Sequence, residues 1–117
     1  MMAEYTTALT IRRGNTFERT ITVTQDGAAY NMTGYTLRFV AKEEVTDPDA
    51  EAVIDETVAF SAPATGIGTL TLTGDDTNVT PADYIYEFKL YDAAGDLIQT
   101  LGYGKLTIAD VALLSVT

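Results

Sequence analysis

The stretch from Thr80 to Ile108, TPADYIYEFKLYDAAGDLIQTLGYGKLTI, constrains this chain more than any other, because it holds two extended segments and the turn between them. Tyr84, Tyr86, Phe88 and Leu90 stand at alternate positions and share one face of a strand, while Ile85, Glu87, Lys89 and Tyr91 share the other. Asp92 to Asp96 then brings Asp, small residues and Gly95, which suit a tight turn ending in a left-handed residue before Leu97 opens the return strand. A hairpin of this kind predicts an all-β domain.

The rest of the chain repeats the pattern of short strands and turn residues. Thr7 to Arg13 reads as an edge strand. In Phe17 to Thr24, Phe17, Ile21 and Val23 lie on one face and threonines on the other, with Arg19 the one interruption. Asp26-Gly27 follows, the dipeptide of a type I′ hairpin turn, in which both residues need positive φ. Tyr35, Leu37, Phe39 and Ala41 alternate with Thr36, Arg38, Val40 and Lys42, which predicts a central strand. Ala52 to Phe60 reads as one strand with Ile54, Val58 and Phe60 on a single face. Ser61 to Gly68 reads as a turn, and Thr69 to Thr73 as a strand with Leu70 and Leu72 inward. Asp75 to Asn78 suits one helical turn.

Seven or so short strands at intervals near 8 to 12 residues, with no helix long enough to cover a sheet, predict a single domain over residues 1–117. The fold class expected is an all-β, immunoglobulin-like antiparallel β-sandwich; the alternative is a small β-barrel. The order Val79, Pro81, Tyr84 resembles the tyrosine corner of fibronectin-like domains, with Tyr84 or Tyr86 as the corner residue.

Charge and two missing residue types narrow the chemistry. Seven basic against 17 acidic residues give a net charge of −10, so phosphate backbones and anionic lipid surfaces repel the chain; neither nucleic acid nor membrane is an expected partner. Apolar runs are far shorter than a membrane span, and the threonine-rich MMAEYTTALT lacks the pattern of a secretory signal, which points to synthesis in the cytoplasm. The chain has Cys 0 and His 0, so disulfides, thiolate metal sites, cysteine nucleophiles and the commonest general base are absent. The expectation is a protein that is not an enzyme and needs no cofactor.

Candidate sites are few. Asp47, Asp49 and Glu51 offer hard oxygen ligands at alternate positions, but no Gly follows at EF-hand spacing, and a solvated acidic loop is the favoured reading. The threonine rows Thr20, Thr22, Thr24 and Thr69, Thr71, Thr73 suit an ice or sugar surface but equally an ordinary solvent-facing strand. Tyr5, Tyr91 and Tyr103 are the aromatics expected at the surface. Adjacent Asp75 and Asp76 do not make the two-carboxylate cleft that glycoside hydrolysis needs. The terminal run Val111 to Val116 carries no charge or proline, so Val111, Leu113, Leu114 and Val116 are the candidate interface, packed on their own sheet or on a neighbouring subunit.

The order Arg13-Gly-Asn-Thr-Phe17, Thr20-Ile-Thr-Val-Thr-Gln-Asp-Gly27, Asn31-Met-Thr-Gly-Tyr-Thr-Leu-Arg-Phe39 and Tyr84-Ile-Tyr-Glu-Phe-Lys-Leu-Tyr-Asp92 resembles small immunoglobulin-like domains of bacteriophage and prophage structural modules. The N-terminal domain of baseplate upper proteins of lactococcal phages belongs to that group. The resemblance spans Ile11 to Ile108, and Met32-Thr33-Gly34-Tyr35 is its most specific element. It implies a structural or attachment unit of a virion, tail or baseplate, with other virion proteins and further copies of itself as partners and no catalytic residues. The rival reading is a carbohydrate or cell-surface adhesion module.

Overall fold

The computed structural model describes residues 8–44, 46–48 and 51–109. The hairpin predicted between Thr80 and Ile108 is its spine. Two long strands, β9 (Ala82–Tyr91) and β10 (Leu97–Ala109), pair antiparallel across the Asp92–Asp96 turn, where Gly95 has φ 88°. Asp92 organises that turn: its side chain accepts hydrogen bonds from the backbone of Ala94 and Asp96.

The remaining strands are β1 (Leu9–Arg12), β2 (Phe17–Thr22), β3 (Thr24–Gln25), β4 (Ala28–Ala29), β5 (Thr36–Lys42), β6 (Ile54–Thr57), β7 (Ala59–Ala62) and β8 (Ile67–Leu72). They form a five-stranded sheet in the order β1-β10-β9-β5-β6, a three-stranded sheet β2-β8-β7, and the small hairpin β3-β4. Among the described residues no ladder joins the sheets, so the architecture is a sandwich and not a closed barrel.

The core lies between the sheets. Ile21, Leu70 and Leu72 come from the smaller sheet and meet Leu37, Phe39, Tyr86, Phe88, Leu90, Leu106 and Ile108 from the larger. At its centre Phe39 stacks on Tyr86 with centroids 5.4 Å apart and meets Phe88 edge-on at 5.2 Å, the arrangements that the ring quadrupole favours. The faces predicted for Phe17 to Val23, Tyr35 to Ala41 and Tyr84 to Leu90 are those observed.

Tyr84 is the corner residue. Its hydroxyl donates to the Thr80 carbonyl at 2.5 Å, whereas Tyr86 is wholly buried among the aromatic rings. The Asp-Gly signal also holds, since Asp26 and Gly27 have φ 53° and 81° between β3 and β4.

Three expectations are corrected. The segment Ala52 to Phe60 is two strands, not one. β6 belongs to the larger sheet and β7 to the smaller, and the chain crosses between them at buried Val58, whose amide donates to the Leu37 carbonyl at 2.8 Å. Apolar periodicity cannot register such a crossing, because inward side chains point into the same core before and after it. The sandwich is not purely antiparallel either: β1 runs parallel to β10, with Leu9 beside Leu106 and Ile11 beside Ile108. The region read as a turn from Ser61 is narrower, a 3-10 turn at Pro63–Thr65 closed by Gly66 at φ 71°. With the split and the β3-β4 hairpin, the described residues hold ten strands instead of about seven.

Candidate interaction surface

The outer face of the five-stranded sheet is the most heavily charged surface formed by regular structure. Alternation on β5 turns Arg38, Val40 and Lys42 outward, and the register sets Arg38 beside Lys89, Val40 between Glu87 and Asp55, and Lys42 beside Ile85. On the far side of β9, Tyr103 stands against Glu87 and Lys105 against Ile85. With Arg12 on β1, five of the chain's seven basic residues therefore share this face, in a molecule of net charge −10.

These charges are paired among themselves. Arg38 forms an ion pair and hydrogen bonds with Asp55 and lies 5.6 Å from the Tyr91 ring centroid. Lys105 lies 3.2 Å from Asp83, which also accepts from the Thr107 hydroxyl at 2.8 Å; the hydroxyl and then the ammonium hold the Asp83 carboxyl below its ordinary range. Lys42 is the exception to solvent exposure, at 3%. Its ammonium lies 2.8 Å from Glu87 Oε1, an ion pair without hydrogen-bond alignment, and donates to the Asp47 carbonyl at 3.0 Å. The acidic loop thus supplies backbone to a buried cation. Val40, set between Glu87 and Asp55, is fully buried on a face that alternation assigns to solvent.

β10 differs from its neighbours. From Leu97 to Ala109 it contains no acid, and Lys105 is its one charge. Three of the four large hydrophobics most exposed among the described residues lie on it: Leu97 at 52%, Ile98 at 47% and Tyr103 at 58%. β1 pairs with its outer edge only from Leu106 to Ala109. Sequence reasoning placed Tyr103 at the surface but missed Leu97 and Ile98. The two register shifts that displace them, between Leu97 and Gln99 and between Thr100 and Gly102, have no signal in residue periodicity.

The other candidates separate. Tyr91 is half-buried beside Arg38, at the rim of a shallow groove that Gly34, Thr36, Asp92 and Ala93 complete. The threonine rows do meet: Thr20 pairs with Thr69 on the outer face of the smaller sheet, flanked by Thr22 and Thr71. Asp47 is half-buried and its carboxylate accepts from the Glu44 amide, whereas Asp49 lies outside the described residues. No group of three metal-ligating side chains occurs among the described residues. Tyr5 and the candidate interface Val111, Leu113, Leu114 and Val116 also lie outside them.

One carboxyl pair forms that the sequence did not suggest. Asp76 anchors the turn after β8: its carboxylate accepts from the Thr73 amide at 2.9 Å while its own amide donates to the Thr73 hydroxyl. Glu56 on β6 shares a hydrogen bond with Asp76, and that bond, then burial and the neighbouring charges of Asp76 and Asp55, push Glu56 up to about 7. Burial alone would raise Asp76, but hydrogen bonds from Glu56 and Thr73 outweigh it and leave Asp76 below its ordinary value.

No protein-family model matches the chain, and no curated protein is similar to it in sequence. Among solved structures it is similar to the "N-terminal domain of phage TP901-1 ORF48", with a TM-score of 0.61 over 88% of this chain and 85% of that one, at 13% identity. The two share an all-β fold. The likeness runs nearly end to end in both chains and is one of strand arrangement, since few side chains are common to the pair.

Proposed function

We propose that this chain is a non-enzymatic structural protein of a phage or prophage particle, at the tail or baseplate, acting through contacts with other virion proteins and with copies of itself. The observation that carries this reading is the fold likeness to a phage protein's N-terminal domain over 88% of the chain. The resemblance of Arg13 to Phe39 and Tyr84 to Asp92 to phage structural modules supports it independently. The surface is consistent with such work: the larger sheet carries paired charges on its outer face beside the exposed apolar side chains of β10. In this reading the protein is made in the host cytoplasm and ends in the virion.

The test is incorporation. Particles induced from a lysogen carrying the gene are purified by density gradient and analysed by mass spectrometry and by cross-linking. Peptides of this chain at constant stoichiometry, cross-linked to tail proteins, are expected. Their absence from intact particles overturns the proposal.

The groove beside Tyr91 and the exposed ring of Tyr103 favour a second reading, a glycan-binding adhesion module. Binding to a glycan array that Tyr103→Ala abolishes would support it over the first.

A further inference from the structure

We propose that Glu56 and Asp76 form a proton-held clasp that fastens the edge strand β6 to the turn after β8, and that losing the shared proton loosens β6 ahead of the rest of the sandwich. The inference goes beyond the virion reading and stands or falls separately from it.

Glu56 occupies an unusual place for a carboxyl. It lies opposite Phe39 in the β5-β6 ladder, and paired residues share a face, so its side chain is on the core side of the larger sheet, on the face of buried Ile54. β6 is the last strand of that sheet, and the chain leaves it at Val58 for the smaller sheet. An acid that points inward at an edge needs a partner there, and the partner comes from the other sheet: Asp76, in the turn that follows β8.

The turn holds Asp76 in place. The Thr73 amide donates to its carboxylate at 2.9 Å, its own amide donates to the Thr73 hydroxyl at 3.2 Å, and the Thr77 amide closes on the Thr73 carbonyl at 3.1 Å. Two carboxyls in hydrogen-bond contact need one proton between them. Asp76 already accepts from Thr73, so Glu56 carries that proton and donates it. Charged groups on the surrounding elements do not take its place. β7 and β8 carry none. Arg38 and Lys42 of β5 are on the outer face, held by Asp55 and Glu87. In the turn Asp75 is exposed and Asn78 accepts from Arg13. Asp55, on the same strand as Glu56, adds negative charge.

When Glu56 gives its proton to solvent, two carboxylates face each other at the margin of the core. What then holds β6 is short: a ladder of four residue pairs with β5, flanked by the Val53 amide on the Ala41 carbonyl and the Val58 amide on the Leu37 carbonyl, each at 2.8 Å. The β9-β10 hairpin shares no group with the clasp, so the loosening stays local. The carboxyl titrates at about 7 in the clasp and at its ordinary 4.5 once β6 opens, so the contribution of the clasp is complete below about pH 4.5 and is lost as pH rises through about 7. Between about pH 6 and about pH 8 this linkage raises the opening constant of β6 about tenfold.

The experiment is amide hydrogen exchange of the full chain by NMR at those two pH values, corrected for intrinsic base catalysis. Val53 and Val58 are expected to lose protection about tenfold relative to the amides of β9, and the Glu56 carboxyl carbon to titrate at about 7. Glu56→Gln donates at every pH, and Asp76→Asn can donate to an ionised Glu56, so each variant should keep the protection of Val53 and Val58 constant. Unchanged protection in the wild-type chain overturns the proposal, as does a Glu56→Gln variant that loosens as the wild type does. A loss shared equally by all strands also overturns it, because the proton would then act on the whole sandwich and not on β6. Independently of any variant, a Glu56 carboxyl that titrates at its ordinary value removes the clasp.

Discussion

Tyr84 donates its hydroxyl hydrogen to the Thr80 carbonyl at 2.5 Å, fastening the start of β9 to the loop that feeds it. The ring is buried, and burial raises the hydroxyl's pKa above the usual tyrosine value, so it remains a protonated donor throughout the neutral range. Tyr84→Phe keeps the ring and removes the bond; it is expected to cost about 1–2 kcal/mol, read from urea denaturation. Tyr103→Phe, on the exposed face, should change stability by less than about 0.5 kcal/mol.

The aromatic centre makes a larger demand. Phe39 and Phe88 are fully buried and meet edge-on, so Phe39→Ala and Phe88→Ala should each cost about 3–5 kcal/mol. A loss below about 1 kcal/mol in equilibrium unfolding would mean that these rings are not in the shared core.

Two left-handed glycines should respond differently to the same substitution. A Cβ on Gly95 meets nothing within 4 Å, so Gly95→Ala carries only the backbone cost of about 1–2 kcal/mol. A Cβ on Gly66 would lie 2.5 Å from the Val23 carbonyl oxygen and 2.7 Å from that of Tyr30, both backbone atoms. Gly66→Ala should therefore cost about 2–4 kcal/mol, as overpacking adds to the strain. Thermal melts of the two variants side by side provide the comparison.

Glu56 predicts a pH dependence. Its carboxyl is raised from 4.5 to about 7 on folding, so between these values the folded state binds more protons than the unfolded one. The contribution is fully present below about pH 4.5 and is lost as pH rises through about 7. The lowered Asp76 acts in the opposite sense, but below the ordinary aspartate value of 3.8 and outside this window. The Tm should fall between pH 5 and pH 8, and Glu56→Gln, which keeps a donor to Asp76 and removes the titration, should flatten that fall. An unchanged slope in the variant would assign it to general charge repulsion.

Lys42→Met should expose the worth of the buried ion pair. Glu87 would keep the more distant Lys89, 3.9 Å away, and the expected loss is about 3 kcal/mol. Lys42→Met combined with Glu87→Gln should recover most of it, because the cost lies in the stranded charge and not in the missing lysine. A double-mutant cycle by urea denaturation measures the coupling.

What the sequence determined by itself is what depends on neighbours along the chain. Period-two alternation specified the inward faces of Phe17 to Val23, Tyr35 to Ala41 and Tyr84 to Leu90, since side chains alternate whatever the strand pairs with. Asp26-Gly27 and Gly95 specified their turns, because positive φ is a local demand that few residues meet. Contacts between distant segments were decided only by the tertiary structure. Whether Ala52 to Phe60 stays in one sheet or crosses at Val58 depends on which edges stand beside it, and both answers bury the same side chains. Alternation places Lys42 on the outer face of β5, and only the fold brings Glu87 and the Asp47 carbonyl to its buried ammonium. The same holds for the Glu56–Asp76 pair, 20 residues apart, and for the parallel placement of β1 beside β10. Strand pairing is set by the free energy of the whole packed sandwich, and no local pattern in the sequence encodes that sum.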